Sequence, residues 1–215
     1  MFKETLKALF DLNAKSSLFY MKIAIIFRMN LLTIKTRKEF REWLIKNHST
    51  EKECWVQVKR GKPMDEGVFY YLDAVEEALC FGWIDSVWKR IDGLMYSKFT
   101  PRKKDSSWTE LNKERVRRLE KLNLMTDDGR KVLPDMRLSS FRIDEDLLRT
   151  LKENRVYSKF KTFPSLYQRV RAYNVAFYKD WNKEQYEKSL KHLIESTRKG
   201  EMYGEWNDYG RLLDY

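Results

Sequence analysis

Asp73, Glu77 and Cys80 recur at i, i+4 and i+7, with Glu76 beside them, so a helix through this stretch carries them as one stripe. Two carboxylates held close together raise one pKa and supply a general acid or base, with a thiol at the stripe's end. The plainer alternative is a solvated acidic face. Further along, Asn112 and Arg115 fall inside the apolar face set by Trp108, Leu111, Leu119 and Leu122. A buried guanidinium must be paired, so Arg115 is expected to meet Glu77, Asp73 or Asp85, as a structural pair or as the floor of a polar pocket. Residues 98–121 hold nine basic and four acidic side chains, and this segment runs into a helix N-terminus. Such a stretch suits a phosphate, a carboxylate or a nucleic-acid backbone, with Trp88, Tyr96 and Trp108 available to stack on a base. An ordinary charged surface is the competing reading.

Several chemistries are missing. No glycine-rich phosphate loop, dinucleotide fingerprint, nucleophile elbow or zincin motif is present. His48 and His192 are the only histidines, too few for a His-rich metal centre, and neither a metal nor a cofactor is implied. Cys80 makes a poor nucleophile, since neighbouring carboxylates disfavour its thiolate.

The elements that must position these residues are legible from local signals. Thr36 and Glu39 form a capping box that opens a helix to about Asn47. Strands are expected near 54–59, 86–91 and 94–100, the last two joined by Asp92-Gly93, a strong hairpin signal. Between the first two strands a helix spans 72–83. Ser107 and Glu110 read as a second capping box for a helix to about 122, and Thr126 caps a shorter one before Pro134. Helices follow over 144–153, 164–173 and 183–198, the last capped by Asn182 and stopped at Gly200. This is an α+β domain, mostly helical, with a small antiparallel sheet. Eight glycines and four prolines in 215 residues argue against a turn-rich all-β fold.

The formal net charge is +11, and two cysteines are too few for a disulfide framework, so a cytoplasmic setting is expected. The apolar run at 18–27 is interrupted by Lys22 and is too short to span a bilayer. It reads as a strand or an amphipathic extension, with Met29 as an alternative start. Three parts are expected: an extension over 1–35, a core over 36–136, and a helical segment over 137–215 packed on that core.

The run Glu77-Ala-Leu-Cys-Phe-Gly-Trp-Ile-Asp-Ser86, with Phe99-Thr-Pro-Arg102, Ser107-Trp108, Asn112 and Arg115-Val-Arg-Arg-Leu119, resembles the bacterial YdeI/OmpD-associated, or bacteriocin-protection, family. The resemblance covers roughly residues 36–136 and is fainter over 163–198. There the family shows a Trp-Ile pair and an Arg-rich helix, and this chain has Tyr173-Asn174 and a Lys-rich run over 184–190. The resemblance implies a role in stress or antimicrobial resistance without a defined reaction. It singles out Glu77, Trp83, Asp85, Arg102, Trp108, Asn112 and Arg115. The expected site is a polar pocket between the 82–85 turn and the 102–115 segment, holding a small anionic ligand. Arg102 would neutralise the anion, Asn112 orient it and Trp83 or Trp108 pack over it. A nucleic-acid module using 98–121 and an enzyme with Glu77 or Asp85 as general base are the other two expectations. Oligomeric state is not set by the sequence.

Overall fold

The computed structural model describes residues 29–104, 106–213 and 215. The apolar run at 18–27 lies outside them. The expected α+β architecture is present: eight α-helices and a four-stranded sheet among the described residues. The strands are β1 (Leu31–Leu32), β2 (Cys54–Gln57), β3 (Trp83–Ile91) and β4 (Leu94–Pro101), in the order β1-β2-β4-β3. Three strands are antiparallel as expected. The edge strand β1 pairs in parallel with β2, with Leu31 opposite Trp55, so the sheet is mixed. Leu31 and Leu32 of the expected N-terminal extension therefore belong to the sheet.

The β3–β4 hairpin turns at Asp92 and Gly93, whose φ of 46° and 80° suit a tight turn of primed type. A register shift between Asp85 and Trp88 bends β3 where it leaves the core. Helix α1 (Arg37–Asn47) carries the Thr36–Glu39 capping box in full. It lays Phe40 against Phe99 of β4, with ring centroids 5.4 Å apart. Helix α2 (Tyr71–Cys80) is buried from Leu72 to Cys80, on its charged side as well as its apolar side. These elements close one apolar cluster built on Phe40, Val56, Leu79, Trp83, Phe99 and Leu119.

Helix α3 (Glu110–Lys121) gives Val116 and Leu119 to that cluster. Its N-cap is Thr109, whose hydroxyl accepts from the Asn112 N–H at 3.1 Å. The expected cap was Ser107, two residues earlier. That serine's carbonyl instead receives Arg102, and the chain stays extended until Thr109. Helix α4 (Asp127–Arg130) is capped by Thr126 and abuts the end of α2. Helices α5 (Glu145–Glu153), α6 (Tyr157–Phe160), α7 (Ser165–Ala176) and α8 (Lys183–Lys199) build a second cluster around Leu151, Phe160, Tyr167 and Leu193. Gly200 ends α8 with a φ of 80°, the left-handed conformation that a helix C-terminus favours. The irregular segment after it contributes Trp206 and Leu212 to this second cluster. Arg169 of α7 joins the clusters by reaching Glu114 of α3 at 2.6 Å and Glu110 at 3.3 Å.

Candidate functional site

The acidic stripe of α2 is neither solvated nor open. Glu76 is fully buried and Glu77 nearly so. Arg37 of α1 donates to Glu76 at 2.8 Å and to Glu77 at 2.5 Å, and Arg41 takes the other oxygen of Glu77 at 2.7 Å. Arg118 of α3 holds Glu76 at 2.8 Å, and Arg211 bridges Asp73 and Glu76 at 2.8 and 3.1 Å. Four guanidiniums thus cover three carboxylates. This replaces both readings of the stripe, the exposed face and the paired-carboxylate site. Both oxygens of Glu77 are committed to arginines, which leaves it no room to act as a base or a ligand-binding group. Cys80 is buried beneath the same network, and desolvation, with Glu77 adding to it, pushes its thiol up to about 12.

Arg115 is buried as expected, but its partner is none of the three anticipated acids. Asp208, 93 positions on, accepts from Nε at 2.7 Å and from Nη2 at 2.8 Å, and Asn112 takes Nη1 at 2.7 Å. The α2 carboxylates are already saturated by Arg37, Arg41, Arg118 and Arg211, so Arg115 turns to the 201–213 segment.

Two other expected contacts are also displaced. Trp83 is 1% exposed and donates its indole N–H to the His48 carbonyl at 3.1 Å, so it is a core residue and cannot pack over a ligand. Arg102 sits over Trp108, 3.7 Å from the ring centroid, and donates to the Ser106 hydroxyl and the Ser107 carbonyl, both at 3.0 Å. Burial lowers its pKa to about 10, against the opposing pull of Asp85. Arg102 and Trp108 brace the turn into α3.

The basic segment 98–121 is mostly self-consumed. Lys98 pairs with Glu53, Lys113 with Glu110, Arg115 with Asp208, Arg117 with Glu114 and Arg118 with Glu76. Lys121 meets the Tyr215 carbonyl and ring. Lys103 and Lys104 alone lack a partner among the described residues, too few charges for a phosphate-tracking surface.

Three of the seven singled-out residues, Asp85, Asn112 and Arg115, do converge on one cleft of about 430 Å³. Arg60, Tyr71, Thr109, Glu205 and Tyr209 complete its polar wall, with Asp208 beside Arg115. The bend in β3 places Asp85 at the rim, where it accepts the Tyr71 hydroxyl at 2.6 Å. Burial and the Asp85 charge push the Tyr71 hydroxyl well above the usual phenol range, so it stays a donor. Arg60 sits 3.9 Å over the Trp88 ring and 5.4 Å from that of Tyr71. It has no carboxylate within ion-pair reach among the described residues. The cleft thus offers a cation at Arg60, carboxylates at Asp85 and Glu205, and the Asn112 amide and Thr109 hydroxyl. Sequence reasoning missed Arg60 and Asp208. Arg60 lies in the loop after β2, beside Gly61, where no periodicity marks it, and Asp208 lies in a segment without regular structure.

No group of three or more His, Cys, Asp or Glu that could hold a metal occurs among the described residues. No helix among them is long and apolar enough to cross a membrane.

The architecture is therefore an α+β domain with a mixed sheet, a sealed ion network and an open amphoteric cleft. Over residues 32–132, slightly under half of the chain, the sequence matches a domain of unknown function, DUF8412. That span contains all seven singled-out residues and excludes Asp208. No curated protein and no solved structure matches the chain.

Proposed function

We propose that this chain is a small-molecule-binding protein of the YdeI/OmpD-associated type, acting in the cytoplasm in stress or antimicrobial resistance, and that the cleft bounded by Arg60, Asp85 and Asn112 is its binding site. The ligand carries an anionic group beside a hydrogen-bond donor. Arg60 receives the anion, Asp85 accepts from the donor and Asn112 fixes the orientation. The carrying observation is Arg60, a guanidinium with no ion-pair partner among the described residues, held over two aromatic rings at the mouth of a cleft whose other wall bears Asp85. The anion-receiving role thus moves from Arg102, which is stacked and bonded, to Arg60.

A thermal-shift and calorimetry panel of amino acids, small dicarboxylates and sugar phosphates tests this. A ligand at 100 times its Kd stabilises the fold by about 2.7 kcal/mol, an easily read shift. Arg60→Ala and Asp85→Asn are each expected to weaken the best binder at least tenfold. A panel in which nothing binds, or a best binder indifferent to both substitutions, overturns the proposal.

A further inference from the structure

Four arginines are buried among the described residues: Arg102, Arg115, Arg169 and Arg171. Arg115 has Asp208, and Arg169 has Glu110 and Glu114. Arg102 has the Trp108 face and two oxygen acceptors. Arg171 has neither an ion-pair acid nor an oxygen acceptor among the described residues. It is 9% exposed, its Nε is buried without an acceptor, and its guanidinium makes no hydrogen bond or ion pair among the described residues. Its neighbours are ring faces, Tyr203 at 4.6 Å and Tyr167 at 5.7 Å. An aromatic face attracts the cation but accepts none of its five N–H groups in the guanidinium plane. Burial pulls its pKa below the usual arginine range, against the opposing pull of Tyr203, Tyr167 and the more distant Glu205, which makes no ion pair with it.

This unanswered group lines a cavity of about 440 Å³ between α7, α8 and the chain around Tyr203. The walls are largely aromatic. Tyr173 stacks on Phe177 with centroids 6.2 Å apart, and His192 meets Tyr203 edge to face at 4.1 Å. Polar groups line it too: Thr109, Asn174, His192, and Gln185 with its amide donating to Ser189 at 3.0 Å. The backbone at Gly204 presses on the guanidinium so closely that a Cβ there would lie 2.5 Å from Nη2. Arg171 is therefore fixed in place by groups that leave its N–H edge without an acceptor.

We infer that this cavity is a second binding site, meeting the cleft at Thr109, in which Arg171 grips the carboxylate of a small aromatic acid. A carboxylate has two oxygens at the spacing of the guanidinium fork, and a planar ring fits between rings that already pack edge to face. The cavity volume falls within the range of sites that enclose such a molecule.

The full chain is titrated by calorimetry with benzoate, with the neutral isostere benzamide, and with inorganic phosphate, while His192 and Tyr203 resonances are followed by NMR. Benzoate is expected to bind and to shift both residues, with benzamide and phosphate each at least tenfold weaker. Arg171→Met is expected to lose benzoate at least tenfold, and Arg171→Lys, which keeps the charge without the fork, to fall between. Lys191→Ala, on the outer side of α8, is expected to bind benzoate as the parent does. Benzamide equal to benzoate, phosphate tighter than benzoate, full benzoate affinity in Arg171→Met, or no response at His192 and Tyr203 each overturns the inference. Should Arg171→Met fail to fold, the benzoate–benzamide contrast on the parent chain decides it.

Discussion

At the scale of single residues, burial decides which groups can react. Cys80 is wholly buried beneath Glu77 and Arg41, with its pKa pushed to about 12 by desolvation first and Glu77 second. Cys54 is equally buried and shifted in the same direction. A thiol with a raised folded-state pKa keeps its proton when the unfolded chain has lost it, so the folded state binds more protons above the ordinary thiol value near 9. Stability is therefore full below about pH 9 and declines from there through pH 12, because the unfolded state binds fewer protons across that window. Tyr203 and Tyr215, also pushed up to about 12 chiefly by burial, act in the same direction above their ordinary value near 10. Two outcomes are expected: neither thiol reacts with a thiol-specific chromogenic reagent at pH 8 until urea is added, and the urea midpoint falls between pH 8 and pH 10.5. A midpoint that holds steady over that interval contradicts the assigned burial.

At the scale of elements, close approach between helices is set by Gly129. Its backbone lies against the last turn of α2, where an added Cβ would stand 2.2 Å from the Cys80 carbonyl oxygen. Thr126 fixes the same junction, donating to that oxygen at 2.6 Å and capping α4 through the Gly129 N–H at 3.2 Å. Here the obstacle is backbone and cannot rotate away. Gly129→Ala is expected to cost about 1–3 kcal/mol or more, as overpacking does. Thr36→Ala, which removes only a cap, is expected to cost about 1 kcal/mol. Comparing the two urea midpoints tests the ranking. The same contrast explains what was legible in the sequence. Thr36 with Glu39, Asp92-Gly93, Thr126 and Asn182 with Gly200 act over a few residues, and each marks the element it announced. Ser107 failed because two residues on, Thr109 competes for the same cap. The α2 stripe failed for a different reason: its exposure depends on Arg37, Arg118 and Arg211, the last 138 positions away. No local pattern encodes such a partner. The cleft was half legible, since Asp85, Asn112 and Arg115 lie on regular elements while Arg60 and Asp208 do not.

For the whole molecule, ion pairs join the two apolar clusters, and the 201–213 segment supplies one of the anions. Asp208, at a φ of 51°, reaches back to Arg115 between the clusters. Arg211 in the same segment completes the α2 network, while Trp206 and Leu212 anchor it in the second cluster. Removing one member of a buried ion pair strands the other without solvent, whereas removing both lets apolar groups meet. Asp208→Asn is therefore expected to lose about 3–5 kcal/mol, and Arg115→Met a similar amount through the stranded Asp208. The double variant Arg115→Met with Asp208→Asn, which strands neither charge, is expected to lose clearly less than the two singles combined, a coupling readable by urea denaturation as a double-mutant cycle. Because the pair bridges both clusters, fluorescence and circular dichroism should report one coincident transition in the parent chain. Strict additivity of the singles would mean that Asp208 and Arg115 do not meet. The 201–213 segment would then be an appendage rather than the strut that sets one wall of the cleft.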